Sequence, residues 1–323
     1  MSKRKKSAYS DIAATTVVCN FGIRRIIPCR GNNIKMKQSD VFCVLGGDLR
    51  QYRVARSLAE KGYKVKLFGF SEYTTGSDGT ERCSNIEDAL NGTKYIILPL
   101  PYSVDGISLN APYMKSSISM NEIYKRITPE MTVFGGKFSS HELSERGVKI
   151  VDYFDREELQ VLNAVPTAEG AIQIAMQERA FTIHGSKCLV VGFGRIGKVL
   201  AEMLKGLNAK VSVSARKYSD FAWIRTHGFT PIKTDKLTEH IADYDIVFNT
   251  VPAIVIGKEE LSAAKQDTLF IDLASKPGGI DFEQAKACGV DTIWLLSLPG
   301  KVAPITAGEI ITETILNILE TED

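Results

Sequence analysis

The stretch from Lys187 to Arg216 constrains the fold of this chain more than any other. Cys188 to Val191 is a short apolar run of the kind a buried parallel strand needs. Gly192, Gly194 and Gly197 follow at G-x-G-x-x-G spacing. Ile196, Val199, Leu200, Met203 and Leu204 then recur at helical intervals until Gly206, and Val211 to Val213 begins a second strand. A glycine motif between a strand and a helix, with the next strand arriving on time, is the βαβ unit that seats a dinucleotide. Gly192 is expected to make the tight turn, Gly194 to let a pyrophosphate reach the backbone, and Gly197 to let helix and strand pack closely. The first turn, with Arg195 and Ile196, offers free N–H groups and a positive dipole end to the phosphates.

The end of the second strand selects the nucleotide. An NAD site usually carries Asp or Glu there to hold the ribose 2′-hydroxyl. Here Ser214, Ala215, Arg216 and Lys217 occupy the place. Ser214 is expected to donate a hydrogen bond to a 2′-phosphate and Arg216 to grip it in a fork, with Lys217 beside them. The cofactor expected is therefore NADP, with NAD as the alternative. Further strands are expected at Asp245–Asn249, Thr268–Leu273 and Thr292–Leu296. The first runs into Thr250 and Pro252, on the same face as the glycine loop, and both are expected at the cofactor.

The rest of the chain reads as a second unit of the same kind. Val41 to Leu45, Gly46-Gly47-Asp48, a helix from Leu49 to Lys61 and Lys64 to Phe68 form a βαβ opening with only two glycines. Asp48 would repel a phosphate, so this unit is expected to hold no nucleotide. Asp48, Arg50 and Gln51 should instead line the cleft at the strand's C-terminal end. Tyr95–Leu98, Met131–Phe134 and Lys149–Val151 continue the alternation, which implies a parallel, doubly wound sheet. Residues 102–118 read as a lid-like loop. Thr167 reads as the N-cap of an apolar helix through Met176, with Glu169 in its first turn as a cap or a cleft residue.

The fold class expected is thus α/β, with two Rossmann-like parallel-sheet domains and a cleft between them. Residues 36–166 form the N-terminal substrate domain, with helix 304–320 packing back on it. Residues 167–303 form the NAD(P)-binding domain with its linking helix. Eight basic residues against Asp11 alone give residues 1–35 a charge of +7, so the remainder carries −5 of the total +2. That segment is expected to be a disordered basic extension, with Met36 a plausible true start. The mildly acidic remainder implies no nucleic-acid face. No apolar stretch approaches a membrane span, the scattered cysteines suit a reducing cytosol, and the isolated histidines imply no metal site.

Four stretches are similar to the family of dipicolinate synthase A subunits from endospore-forming bacteria. They are Leu45 to Gln51, Asn163 to Gly170, Thr182 to Ser186 with Val191 to Gly197, and Asp272 to Gly279 with Leu298 to Pro304. The resemblance runs from about Met36 to the C-terminus. It implies NAD(P)-dependent oxidation of dihydrodipicolinate to dipicolinate (pyridine-2,6-dicarboxylate) in the mother-cell cytoplasm during sporulation. It also implies a partner, the flavoprotein-like B subunit of dipicolinate synthase, and we expect a homo-oligomer. For a small dicarboxylate, Arg50 and Arg156 are the candidate carboxylate forks, with Gln51 beside Arg50. Asp48 or Glu169 is the candidate proton acceptor. Two other readings stay open: a dehydrogenase for 2-hydroxy or 2-amino acids, and a nucleotide-binding regulatory protein without its own catalysis.

Overall fold

The computed structural model describes residues 39–73 and 79–321, and the basic extension expected over residues 1–35 lies outside them. The first half contains β1 (Val41–Leu45), β2 (Lys64–Phe68), β3 (Glu81–Arg82), β4 (Tyr95–Ile97), β5 (Thr132–Gly135) and β6 (Lys149–Asp152). The second contains β7 (Lys187–Val191), β8 (Lys210–Ala215), β9 (Thr230–Lys233), β10 (Ile246–Asn249), β11 (Leu269–Asp272) and β12 (Asp291–Trp294). The sheet orders are β3-β2-β1-β4-β5-β6 and β12-β11-β10-β7-β8-β9. Every pairing between these strands is parallel. Both sheets have the dinucleotide-binding order, with the reversal beside the first strand of each. The fold class expected from the alternation of strands and helices is the one observed.

Strand burial explains the apolar runs. Phe42 to Leu45 and Cys188 to Val191 are inaccessible to solvent, because helices cover both faces of each sheet. Val44, Ile97 and Phe134 face one apolar cluster, while Cys43, Ile96 and Val133 face another. Cys188 and Val190 divide from Leu189 and Val191 in the same way.

Two helices tie the halves together. The helix expected to start at Thr167 instead begins at Glu157 and runs to Glu178. Thr167 is therefore no N-cap; its hydroxyl donates to the Asn163 carbonyl one turn back. Pro166 lies inside this helix, where its ring removes one backbone donor. The sequence around Pro166 reads as a boundary because the helix changes cores there. Leu159 packs into the first half's core, and Ala168, Ala171, Ile172 and Ala175 into the second's.

The C-terminal helix Pro304–Thr321 returns to the first half. Ile310, Ile311, Ile315 and Ile318 join Val54, Ala55 and Leu58 in one cluster. Arg53 Nη2 meets Glu309 Oε1 at 2.7 Å across this contact. Gly308 makes it close: a Cβ there would lie 2.5 Å from the Arg50 carbonyl oxygen and 2.7 Å from Arg53 Cβ. Gly308→Ala gains about 1 kcal/mol of helix propensity, but overpacking here costs about 1–3 kcal/mol. We expect a net loss, measured as a lower urea midpoint at unchanged slope.

Candidate active-site cleft

Each half opens with a strand, a glycine turn and a helix, yet the two turns differ in what they leave open. In the second half, Gly192 takes φ +100°, where a side chain would be strained, and a Cβ would lie 2.6 Å from Thr250 Oγ1. A Cβ on Gly197 would run into the Gly192 carbonyl oxygen, whereas one on Gly194 meets nothing within 4 Å. Open space at the middle glycine leaves room for an incoming phosphate. The helix Arg195–Gly206 has Gly194 as N-cap, and no side chain caps it. Its first-turn amides are available to an anion. Thr250 braces the turn, its amide and hydroxyl each donating to the Val191 carbonyl at 2.9 Å.

In the first half the corresponding positions are taken. Gly47 N–H donates to the Asn110 carbonyl at 2.7 Å, so a carbonyl oxygen stands where a phosphate oxygen would. The helix Leu49–Glu60 is capped by Asp48, which accepts from Arg50 N at 2.9 Å. The loop 102–118 packs on this turn, its own Leu109 and Ile118 buried.

Arg50 is 7% exposed. Its Nε and Nη2 donate to the Asp48 carboxylate at 2.9 and 2.8 Å, and Nη2 also donates to the Leu100 carbonyl at 2.6 Å. Nη1 has no partner among the described residues. Gly300, in the short helix Leu298–Val302 after β12, closes over the pair. A Cβ there would lie 2.9 Å from Arg50 Nε and 3.1 Å from Asp48 Oδ2. The two halves therefore meet at this ion pair. Gln51 is inaccessible to solvent, and its Nε2 is 3.5 Å from the Tyr153 hydroxyl. That hydroxyl donates to the Leu98 carbonyl at 3.0 Å. Burial raises the Tyr153 pKa well above the usual phenol value, so the hydroxyl stays protonated. Gln51 Oε1 and Asn163 Oδ1 are buried without partners. Each such acceptor costs about 1–3 kcal/mol unless a ligand supplies a donor.

The other expected site residues are dispersed. Arg156 pairs with Glu158 at 2.8 Å, holding that carboxyl below its usual range. Glu169 is exposed on the linking helix; its neighbour Gly170 faces Leu298 and Val302. Arg195 grips Glu157, with Nη2 at 2.7 Å. Ile196 is half-buried against the second core, and Pro252 is exposed beyond β10. Ser214 is inaccessible to solvent and accepts from the Thr234 hydroxyl at 3.4 Å. Arg216 and Lys217 are exposed just past β8. Among the described residues no three His, Cys, Asp or Glu side chains converge as a metal site, and no helix is long and apolar enough to cross a membrane.

Sequence reasoning missed Asp272 as a structural pivot. It is inaccessible to solvent. Its Oδ1 accepts from Asn249 Nδ2 at 2.8 Å and Ala274 N at 2.9 Å, and its Oδ2 from Gly279 N at 2.7 Å. A buried carboxylate needs such donors. The Gly278-Gly279 pair that follows β11 was the available signal, since both glycines must approach Asp272 and Asn249 closely.

Comparison with known proteins agrees with this geometry. Residues 41–154 match the family model of the N-terminal domain of the dipicolinate synthase A subunit. The chain is 34% identical over 282 residues to the A subunit of dipicolinate synthase of Bacillus subtilis (strain 168), covering 86% of this chain and 95% of that protein. The chain belongs to the family of dipicolinate synthase A subunits. Crystal structures of family members superpose closely. The Bacillus subtilis protein gives a TM-score of 0.80 at 32% identity, covering 90% of this chain and 100% of that one. Its counterpart from Bacillus halodurans gives 0.80 at 31%, covering 87% and 97%. Residues 163–277 match the NAD-binding domain of D-isomer specific 2-hydroxyacid dehydrogenases. The second half of this family member is thus an NAD-binding domain of dehydrogenase type.

The two glycines make separable predictions. Gly194→Val should keep the melting temperature within about 2 °C, since its Cβ enters open space, yet abolish dinucleotide binding in a fluorescence titration. Gly197→Val should lower the melting temperature as well, because it forces the helix off the loop.

Proposed function

We propose that this chain is the dehydrogenase component of a dipicolinate synthase. It oxidises dihydrodipicolinate to dipicolinate with NADP, in the cytoplasm of a sporulating cell, beside a flavoprotein-like B subunit. One observation carries this reading beyond family membership. The Asp48–Arg50 pair, just beyond the C-terminal end of β1, lies directly under Gly300 of the nucleotide-binding half. A small anion held there lies between the two halves, as hydride transfer requires.

The bound nicotinamide supplies the hydride acceptor. The chain's own residues bind, orient and deprotonate. Arg50 presents its free Nη1 edge to one carboxylate, with Asp48 and the Leu100 carbonyl fixing the guanidinium plane. Arg156 is the candidate for the second carboxylate, released from Glu158. Gln51 Oε1, buried and unpartnered, accepts from a ligand donor. Asp48 is the better proton acceptor of the two candidates, since Glu169 stands exposed on the linking helix. Loss of one hydride and one proton from the dihydro ring yields the aromatic product, and aromatisation drives the step.

Two substitutions test the reading. Arg50→Ala should raise the KM for dihydrodipicolinate at least about tenfold while leaving nucleotide affinity within about twofold. Unchanged steady-state kinetics would remove Arg50 from the site. Arg216→Ala should weaken NADP binding about tenfold and NAD binding little, because only NADP carries the 2′-phosphate. Assays with and without the flavoprotein-like partner, and with a panel of 2-hydroxy acids, separate this activity from a purely regulatory role and from a hydroxy-acid dehydrogenase.

A further inference from the structure

Beside Arg216 lies a cavity of about 410 Å³, lined by Arg216, Lys233, Thr234, Asp235 and Val255. Its construction differs from the site expected from β8 alone. Ser214 cannot reach a ligand without losing its burial, because it is inaccessible to solvent and its hydroxyl is engaged by Thr234. The adjacent strand provides a replacement. Ala215 is the register partner of Lys233, so the end of β9 brings an ammonium alongside the exit of β8, one residue from Arg216. Paired strands lie about 4.8 Å apart, which puts both cations within reach of one phosphate. Val255, beyond β10, provides the apolar wall. Lys233 Nζ is held by Asp235 Oδ2 at 2.7 Å. The Lys233 pKa is raised and that of Asp235 lowered by this hydrogen bond, so both stay charged at neutral pH.

We infer that Lys233, held in place by Asp235, is the second cation that selects a 2′-phosphorylated adenosine, taking the role the sequence suggests for Ser214. The inference rests on the NADP reading above and names the group that carries it. Asp235 acts in two ways. In the empty cavity it neutralises Lys233, and it opposes an incoming phosphate. A nucleotide without the 2′-phosphate leaves the Lys233–Asp235 pair intact and is indifferent to either residue.

The test is a fluorescence titration of the full chain with NADPH and NADH, with 2′,5′-ADP and 5′-AMP as competitors. Wild type should bind NADPH and 2′,5′-ADP more tightly than NADH and 5′-AMP. Lys233→Met should weaken NADPH about tenfold, with NADH unchanged; Lys233→Arg should restore most of the loss. Asp235→Asn should tighten NADPH and leave NADH unchanged. A wild-type chain that binds both nucleotides equally overturns the NADP reading and this inference with it. A wild-type preference that survives Lys233→Met, or equal weakening of both nucleotides by that variant at unchanged melting temperature, overturns the inference alone. Loss of both nucleotides in Asp235→Asn makes Asp235 a direct adenosine contact and overturns its role as counter-charge.

Discussion

The carboxylate of Asp48 holds the centre of this molecule together. It caps the helix Leu49–Glu60 and locks the guanidinium of Arg50, which reaches the Leu100 carbonyl beyond β4. The short helix Leu298–Val302 closes on this ion pair through Gly300, and the C-terminal helix closes on the adjoining backbone through Gly308. The guanidinium of Arg50, its side chain 9% exposed, costs desolvation energy that its hydrogen bonds to Asp48 and Leu100 must offset. The result is a guanidinium fixed in place where the two halves meet.

The same carboxylate separates the roles of two similar units. Both sheets have one strand order and one type of opening turn. A helix N-terminus attracts an anion only while its amides lack partners. The Asp48 carboxylate takes the Arg50 amide of the first helix and the Asn110 carbonyl takes the Gly47 amide just before it, whereas no side chain caps the helix that follows Gly194. One capping side chain and one overlying loop thus distinguish the first opening turn from the second.

Much of this is legible in the sequence, for identifiable reasons. The βαβ units can be read because buried parallel strands are uniformly apolar and glycine punctuates their exits. The fold class and the glycine roles at 192, 194 and 197 follow from steric needs local to a few residues. Thr167 misleads because Thr-Ala-Glu-Gly after a proline has the composition of a helix start. The long helix tolerates Pro166 because packing against two successive cores offsets the missing donor. Ser214 lies near the end of its strand as expected, but it is buried between β7 and β9 and its hydroxyl partner Thr234 is 20 residues away, and no local pattern reveals that.

The sequence by itself determined most of the strands, which glycine turn leaves its helix without a side-chain cap and which family the chain resembles, because all three depend on spacing along the chain. The short edge strands Glu81–Arg82 and Thr230–Lys233 carry no apolar run and emerged only in the structure. Only the tertiary structure decided which charges are free and which are paired. Arg195 against Glu157 joins residues 38 apart in the chain, and Arg53 against Glu309 joins residues 256 apart; both depend on how the helices come to rest. The closure of Gly300 over Asp48 and Arg50 joins positions from opposite ends of the chain. Such a contact exists only once both sheets have formed and the linking helix has set them side by side.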